Sequence, residues 1–318
     1  MKLSDLQALT ASIPPLSEEQ LKEWLQAHIR SLGLDPNMIY QELEMSSDHV
    51  DTHRDSNRSN EHINLHSHTF YELIYCCTSC NAEYLISSER YRLQAGDIIF
   101  IPPGVSHRPL LPEEMPTPYD RYVIWINPDF MNRYSSLFPY PFSRSQTGFG
   151  MLRTKGSKWE FLEEQFAHGV RESEQQADGW EAAVIGNTMM LLSNIKRAAN
   201  DRSAPTMEAE TPQLLDALTA YVEQHYADFI SIDTAASRYF VSPSTVSHLF
   251  KQKLGVSFYR YVTQRRLIAA KSLIESGTPM EETALSTGFR DYSCFYRAFK
   301  KEYGISPKQY RTHFCVKQ

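Results

Sequence analysis

The chain has 318 residues, of which 42% are hydrophobic, and a formal net charge of −6 at pH 7. That length allows two domains with ordinary buried cores. No apolar run reaches the roughly 18 residues of a membrane span, and no charged-then-apolar leader opens the sequence, so a cytoplasmic protein is expected. Five cysteines, an odd number, argue against a disulfide framework.

Residues 1–60 read as a helical extension followed by a linker. Ser17-Glu18-Glu19-Gln20 opens a helix with acidic residues near its N-terminus, and Leu21, Trp24, Leu25, His28 and Ile29 form one apolar-leaning stripe. Residues 46–61 are polar without periodicity and read as a loop, although His49 and His53 stand close together in it.

From 61 to 150 the period becomes that of strands. Short runs at 72–75, 83–86, 90–93, 97–101 and 121–126 are separated by turns, which predicts a small antiparallel barrel or jelly roll. Inside it lies His66-x-His68-x₃-Glu72. On one strand these three residues share a face, so all three side chains could point inward. A second stretch, Gly96-x₅-Pro102-x-Gly104-x₂-His107, bends the chain and presents a fourth ligand. These two stretches resemble the two motifs of the cupin fold. That resemblance implies a possible divalent-metal site at His66, His68, Glu72 and His107, of a kind that suits Zn, Fe, Mn, Ni or Co. An Asn expected by the resemblance four residues after His107 is absent, since position 111 is Leu111. The competing reading gives these four residues hydrogen bonds to a polar ligand or to one another, with Tyr75, Tyr84 and Trp125 lining the pocket or serving as plain core. Cys76-Cys77-x₂-Cys80 falls where a strand meets a turn. Adjacent cysteines on a strand face opposite ways, so ordinary partly buried thiols are the default over a thiol sensor or metal site.

Residues 151–200 return to helix. Trp159, Leu162, Phe166 and Val170 recur at three-and-four spacing, and Ala183, Ile185, Met189, Leu192 and Ile195 do much the same. The stretch 201–211 is small, polar and contains Pro205, which predicts a linker.

The region 212–318 contains a duplication. Adding 49 to each number lays Thr234 on Thr283, Phe240 on Phe289, Phe250 on Phe299, Gly255 on Gly304 and Tyr261 on Tyr310, without a gap. Each copy reads as helix, turn, helix. Asp233 is expected to cap the first short helix and Ser242-Pro243 to open the second. In the other copy Gly288-Phe289-Arg290 makes the turn and Asp291 is the cap. The local charge suits a polyanion: residues 238–318 hold 14 Lys and Arg against 5 Asp and Glu, a balance of +9. Residues 1–204 hold 18 against 27, a balance of −9.

The run from Ala284 to Arg311, with Gly288-Phe289, Phe295, Ala298-Phe299, Gly304 and Pro307, closely resembles the signature of AraC/XylS-family transcriptional regulators. The first copy resembles that family's first helix-turn-helix, and Arg265 to Ile274 its linker helix. The resemblance covers about 211–315. It implies an α+β chain: a cupin-like sensor barrel with flanking helices, a dimerising helical pair at 151–200, and two helix-turn-helix units joined by a helix. It further implies a small-molecule effector in the barrel, double-stranded DNA as partner, contact with RNA polymerase, activation more than repression, and recognition helices in successive major grooves about 34 Å apart. Residues expected to reach base edges are Ser244, Thr245, Ser247 and His248 in the first copy. In the second they are Arg290, Tyr292, Ser293, Tyr296 and Arg297. Lys251, Lys253, Lys300 and Lys301 are expected to anchor phosphates. The rival reading is a metal-dependent cupin enzyme fused to a DNA-binding domain, supported by the four-ligand pattern alone.

Overall fold

The computed structural model describes residues 45–58, 65–137, 149–201 and 213–314, with 46 and 113 excepted. The expected N-terminal helix and nearly all of the expected linker lie outside those residues. The described chain divides into a β-rich unit, residues 45–58 and 67–201, and a helical unit, residues 213–314, to which 65 and 66 are assigned.

The β-rich unit is built from eight strands, several of them buried along nearly their whole length: β1 (Val50–Asn57), β2 (Tyr71–Cys76), β3 (Glu83–Ile86), β4 (Glu89–Arg92), β5 (Asp97–Ile101), β6 (His107–Leu110), β7 (Tyr119–Ile126) and β8 (Gly150–Arg153). They form a five-stranded sheet in the order β1-β7-β2-β5-β8 and a three-stranded sheet in the order β4-β3-β6, with every pairing antiparallel. Strand β1 lies within residues 46–61, where a loop was expected. Its register sets His53 against Val123 and Asp55 against Arg121. Polar residues on both of its faces hide the period-two signal.

One face of the larger sheet carries Leu73, Tyr75, Ile98, Phe100, Ile124 and Ile126. Three helices accompany the sheets: α1 (Pro128–Arg133), α2 (Leu162–Gln175) and α3 (Trp180–Ala199). Helices α2 and α3 bring Leu162, Phe166, Val184, Leu191, Leu192 and Ile195 onto that apolar face. Burying side chains of this size stabilises the unit by about 1.5–3 kcal/mol each, before the cost of ordering the chain. The opposite face carries Glu72 among Ile74, Ile99, Ile101, Val123 and Trp125, all of them buried.

The helical unit contains α4 (Leu214–His225), α5 (Ile232–Arg238), α6 (Pro243–Leu254), α7 (Phe258–Glu275), α8 (Met280–Ser286), α9 (Tyr292–Tyr303) and α10 (Pro307–Phe314). Ser231, not Asp233, caps α5, accepting from the Thr234 amide at 3.0 Å. Ser242 caps α6 and Asp291 caps α9, and both helices end on left-handed glycines, Gly255 and Gly304. The second helices therefore match at a shift of 49. The first helices match at 48: Val241 donates to the Ala236 carbonyl as Phe289 does to that of Ala284, and Phe240 to Ser237 as Gly288 does to Leu285. The ungapped register is thus corrected, because the second turn holds one more residue.

Helix α7 is tied to both copies. Arg265 pairs with Glu223 of α4, and Arg266 donates to the carbonyls of Tyr226 at 2.7 Å and Asp228 at 2.9 Å. Toward the second copy, Arg260 pairs with Glu302 of α9, and Gln264 donates to the same carboxylate at 3.2 Å. The second copy closes on Ala284, Phe289, Phe295, Phe299 and Tyr303, packed with Leu267, Ala270 and Ile274 of α7.

Candidate functional site

Glu72 on β2, His68 in the segment before it and His107 on β6 of the smaller sheet form one buried cluster whose ligand atoms lie within 4.8 Å of one another. His66 is outside this set, so three of the four expected residues come together. The hydrogen bonding defines the cluster's chemistry. Nδ1 of His68 lies 2.7 Å from the Phe70 carbonyl and Nδ1 of His107 lies 2.8 Å from the Val105 carbonyl. A carbonyl only accepts, so each ring donates a proton from Nδ1 and turns Nε2, bare or holding a second proton, toward Glu72. The two Nε2 atoms stand 3.4 and 3.2 Å from Glu72 Oε2, while Oε1 accepts from the Trp125 indole at 3.0 Å.

Burial pushes the Glu72 carboxyl up, but its hydrogen bonds to His107 and His68 outweigh burial and hold it well below the usual carboxylate range. Burial also lowers the His68 imidazole, more than Glu72 raises it. An ionised carboxylate oxygen therefore faces imidazole nitrogens whose far sides are fixed by backbone carbonyls. That arrangement calls for a cation between them, a proton or a metal, and outer hydrogen bonds of this kind orient histidine ligands at metal centres. The donor set, two imidazoles and a carboxylate, fits a divalent ion with coordination positions left for an exogenous ligand.

Tyr84 and Trp125 belong to this surrounding: both are buried, and the Tyr84 ring lies 6.2 Å from that of His107. Tyr75 does not. Its ring packs on Phe166 and its hydroxyl donates to Glu163 of α2 at 3.0 Å, so it sits on the helix-covered face, one residue out of phase with an inward position. Cys76, Cys77 and Cys80 are free thiols; burial pushes all three up, Cys77 to about 11, so they are held as neutral thiols.

The sequence reading missed the contribution of β1. The His53 ring meets Trp125 edge-on at 4.7 Å, and Arg121 donates to Asp55 at 2.8 Å and to Asn57 at 2.7 Å. The odd-numbered alternation Asp51, His53, Asp55 was the available signal. Burial raises the Asp55 carboxyl, but the Arg121 charge and then His53 overcome it and hold it at about 2, below its ordinary 3.8. A depressed carboxyl contributes stability above its unfolded value and loses it as pH falls toward the folded value. Asp55→Asn should therefore be less stable than wild type at pH 6, with the gap in urea midpoint closing from about pH 4 to pH 2. Tryptophan fluorescence during urea unfolding at several pH values checks this.

In the helical unit, Ser244, Thr245, Ser247 and His248 are all exposed on α6, as are Arg290, Ser293, Arg297 and Lys300 on and before α9; Tyr292 and Tyr296 are half-buried. Arg290 leans on the Asp291 cap at 3.0 Å, and Arg297 lies 3.5 Å from the Cys294 sulfur. Lys251 donates to the Gly255 carbonyl at 3.2 Å, closing its own helix. Both second helices thus start at a capped, outward-facing N-terminus followed by basic residues in the last turn, Lys251 and Lys253 in one and Lys300 and Lys301 in the other.

An antiparallel β-barrel unit followed by two helix-turn-helix units defines a sensor-plus-reader architecture. Residues 49–154 match the AraC-like ligand binding domain and residues 235–313 match a helix-turn-helix domain. The HTH-type transcriptional activator RhaS of Salmonella dublin is 26% identical over 257 residues, 77% of this chain and 86% of that protein. The arabinose operon regulatory protein of Salmonella typhimurium is 27% identical over 71% of this chain and 78% of its own length. Among solved structures, ToxT of Vibrio cholerae is 13% identical, covers 83% of this chain and 96% of that one, and has a TM-score of 0.34. The chain belongs to the AraC family of transcriptional regulators and is a DNA-binding regulator with an effector-binding domain. Among the described residues no helix is long and apolar enough to cross a membrane.

Proposed function

We propose that the β-rich unit binds a small polar effector at the His68–Glu72–His107 cluster, through a divalent cation held there, and that occupancy shifts the population of chains able to bind operator DNA. The observation that carries this reading is the pair of fixed imidazole tautomers aimed at one carboxylate oxygen. The cation would supply a Lewis-acid point for the effector's oxygen or nitrogen; the protein would orient it and exclude water. The role is sensing and not catalysis, in keeping with a family of regulators. We assign α2 and α3 as the surface for a second copy of the chain. The likeness to named activators supports a reading of activation through RNA polymerase in the cytoplasm.

DNA would be read by the N-terminal halves of α6 and α9, with Arg297 donating to a guanine edge and Lys300 and Lys301 to phosphates. Replacing Arg297 by Ala should weaken binding to a selected duplex by about 1–3 kcal/mol and relax one base preference. A gel-shift series across single-base variants measures both. Unchanged affinity and preference would take Arg297 out of the readout.

A further inference from the structure

The two turns place different residues at one backbone position. With the first helices matched at a shift of 48, Phe240 stands where the second copy has Gly288. Both are left-handed, Phe240 at φ +55 and Gly288 at φ +82. That conformation suits glycine and strains a residue with a Cβ. The phenyl ring offsets none of this by packing, because Phe240 is 96% exposed. The helix end is closed by backbone hydrogen bonds, Phe240 to Ser237 and Val241 to Ala236, which glycine would make equally well. Folding therefore gains nothing from this side chain.

Its position supplies a use. Phe240 precedes the α6 cap, Ser242, by two residues, within about 7 Å of chain. The first turn of α6 is uncharged, and its hydroxyls are turned on one another: Ser242 lies 2.7 Å from Ser244 and 2.8 Å from Thr245. At the corresponding end of α9 stand Arg290 and Tyr292. The helix start without long side chains is the one beside which a phenyl ring projects.

We infer that Phe240 is a DNA-contacting residue, its ring packing on the apolar edge of the duplex, a thymine methyl or a deoxyribose, beside the groove entered by α6. This rests on the reading of α6 as a DNA-facing helix, with which the Phe240 surface is continuous.

The test uses the full chain and a duplex selected by the wild-type protein from a random-sequence pool. Phe240→Gly should lower affinity about tenfold at every salt concentration while leaving the salt slope unchanged, because an apolar contact releases no counterions. Its urea midpoint should equal or exceed that of wild type, which excludes a folding defect. Replacing thymines by deoxyuridine one at a time separates the two sources. A methyl contact makes one substitution costly for wild type and neutral for Phe240→Gly; a deoxyribose contact leaves every substitution neutral. Wild-type affinity in Phe240→Gly, beside a loss in Arg297→Ala, overturns the inference, including where promoter activation is lost and a protein partner is indicated. Unchanged affinity in both variants would instead remove the reading of the helices themselves.

Discussion

Replacing Gly288 by Ala should abolish DNA binding by unfolding the second helix-turn-helix. A Cβ built there would lie 2.6 Å from the Tyr226 carbonyl oxygen and 2.8 Å from that of Ala227, and φ is +82. The left-handed conformation costs an alanine about 1–2 kcal/mol. The clash adds to this, because the carbonyl of Tyr226 also receives Arg266, and moving it breaks a charged hydrogen bond valued at about 1.5–3 kcal/mol. The sum, about 3–5 kcal/mol, is a large share of what holds a domain folded. Gly255→Ala is the control: it has a similar φ of +71, and among the described residues nothing lies within 4 Å of the added Cβ. It should cost only the conformational part. Hydrogen exchange of the α8 and α9 amides reads the difference. Equal protection losses in the two variants would show that the Tyr226 contact contributes nothing.

Glu72→Ala should both destabilise the β-rich unit and end the metal uptake proposed for it. It leaves the Trp125 indole N–H, 4% exposed as a residue, without its acceptor and two buried imidazoles without their shared oxygen. An unmet buried donor such as the indole N–H costs about 1–3 kcal/mol, so a loss of that order is expected. Glu72→Gln keeps an acceptor for Trp125 and should recover most of the stability while remaining poor at holding a cation. Thermal unfolding gives the first quantity, and cobalt absorption with equilibrium dialysis gives the second. Stoichiometric cobalt binding by Glu72→Ala would remove the metal from the proposal; an unchanged melting temperature would show that the network is loosely coupled to the fold.

The helical unit was the more legible half because its signals are local. Caps such as Ser242 and Asp291, stops at Gly255 and Gly304, and apolar spacing in α6 and α9 each act within a few residues. Two slips occurred there: Asp233 was expected as the α5 cap in place of Ser231, and the extra residue of the second turn was missed because Thr234 and Thr283 are identical in type and invited an ungapped match. Barrel strands were visible where one face is apolar. Strand β1 was not, since Asp55 and Asn57 find their polar partner in Arg121 of β7, 66 and 64 residues away in sequence, while His53 meets Val123 and Trp125. Tyr75 was misplaced for a related reason: parity puts it with Leu73 against α2 and α3, and no local feature says which face a helix will cover.

The unequal turns and unlike helix starts have a consequence for the target. A chain with identical readers would bind two like half-sites. Here one end offers hydroxyls and a phenyl ring and the other offers arginine and tyrosine, so on the proposed reading the two half-sites differ. A promoter carrying the pair in exchanged order would offer each reader the other's half-site.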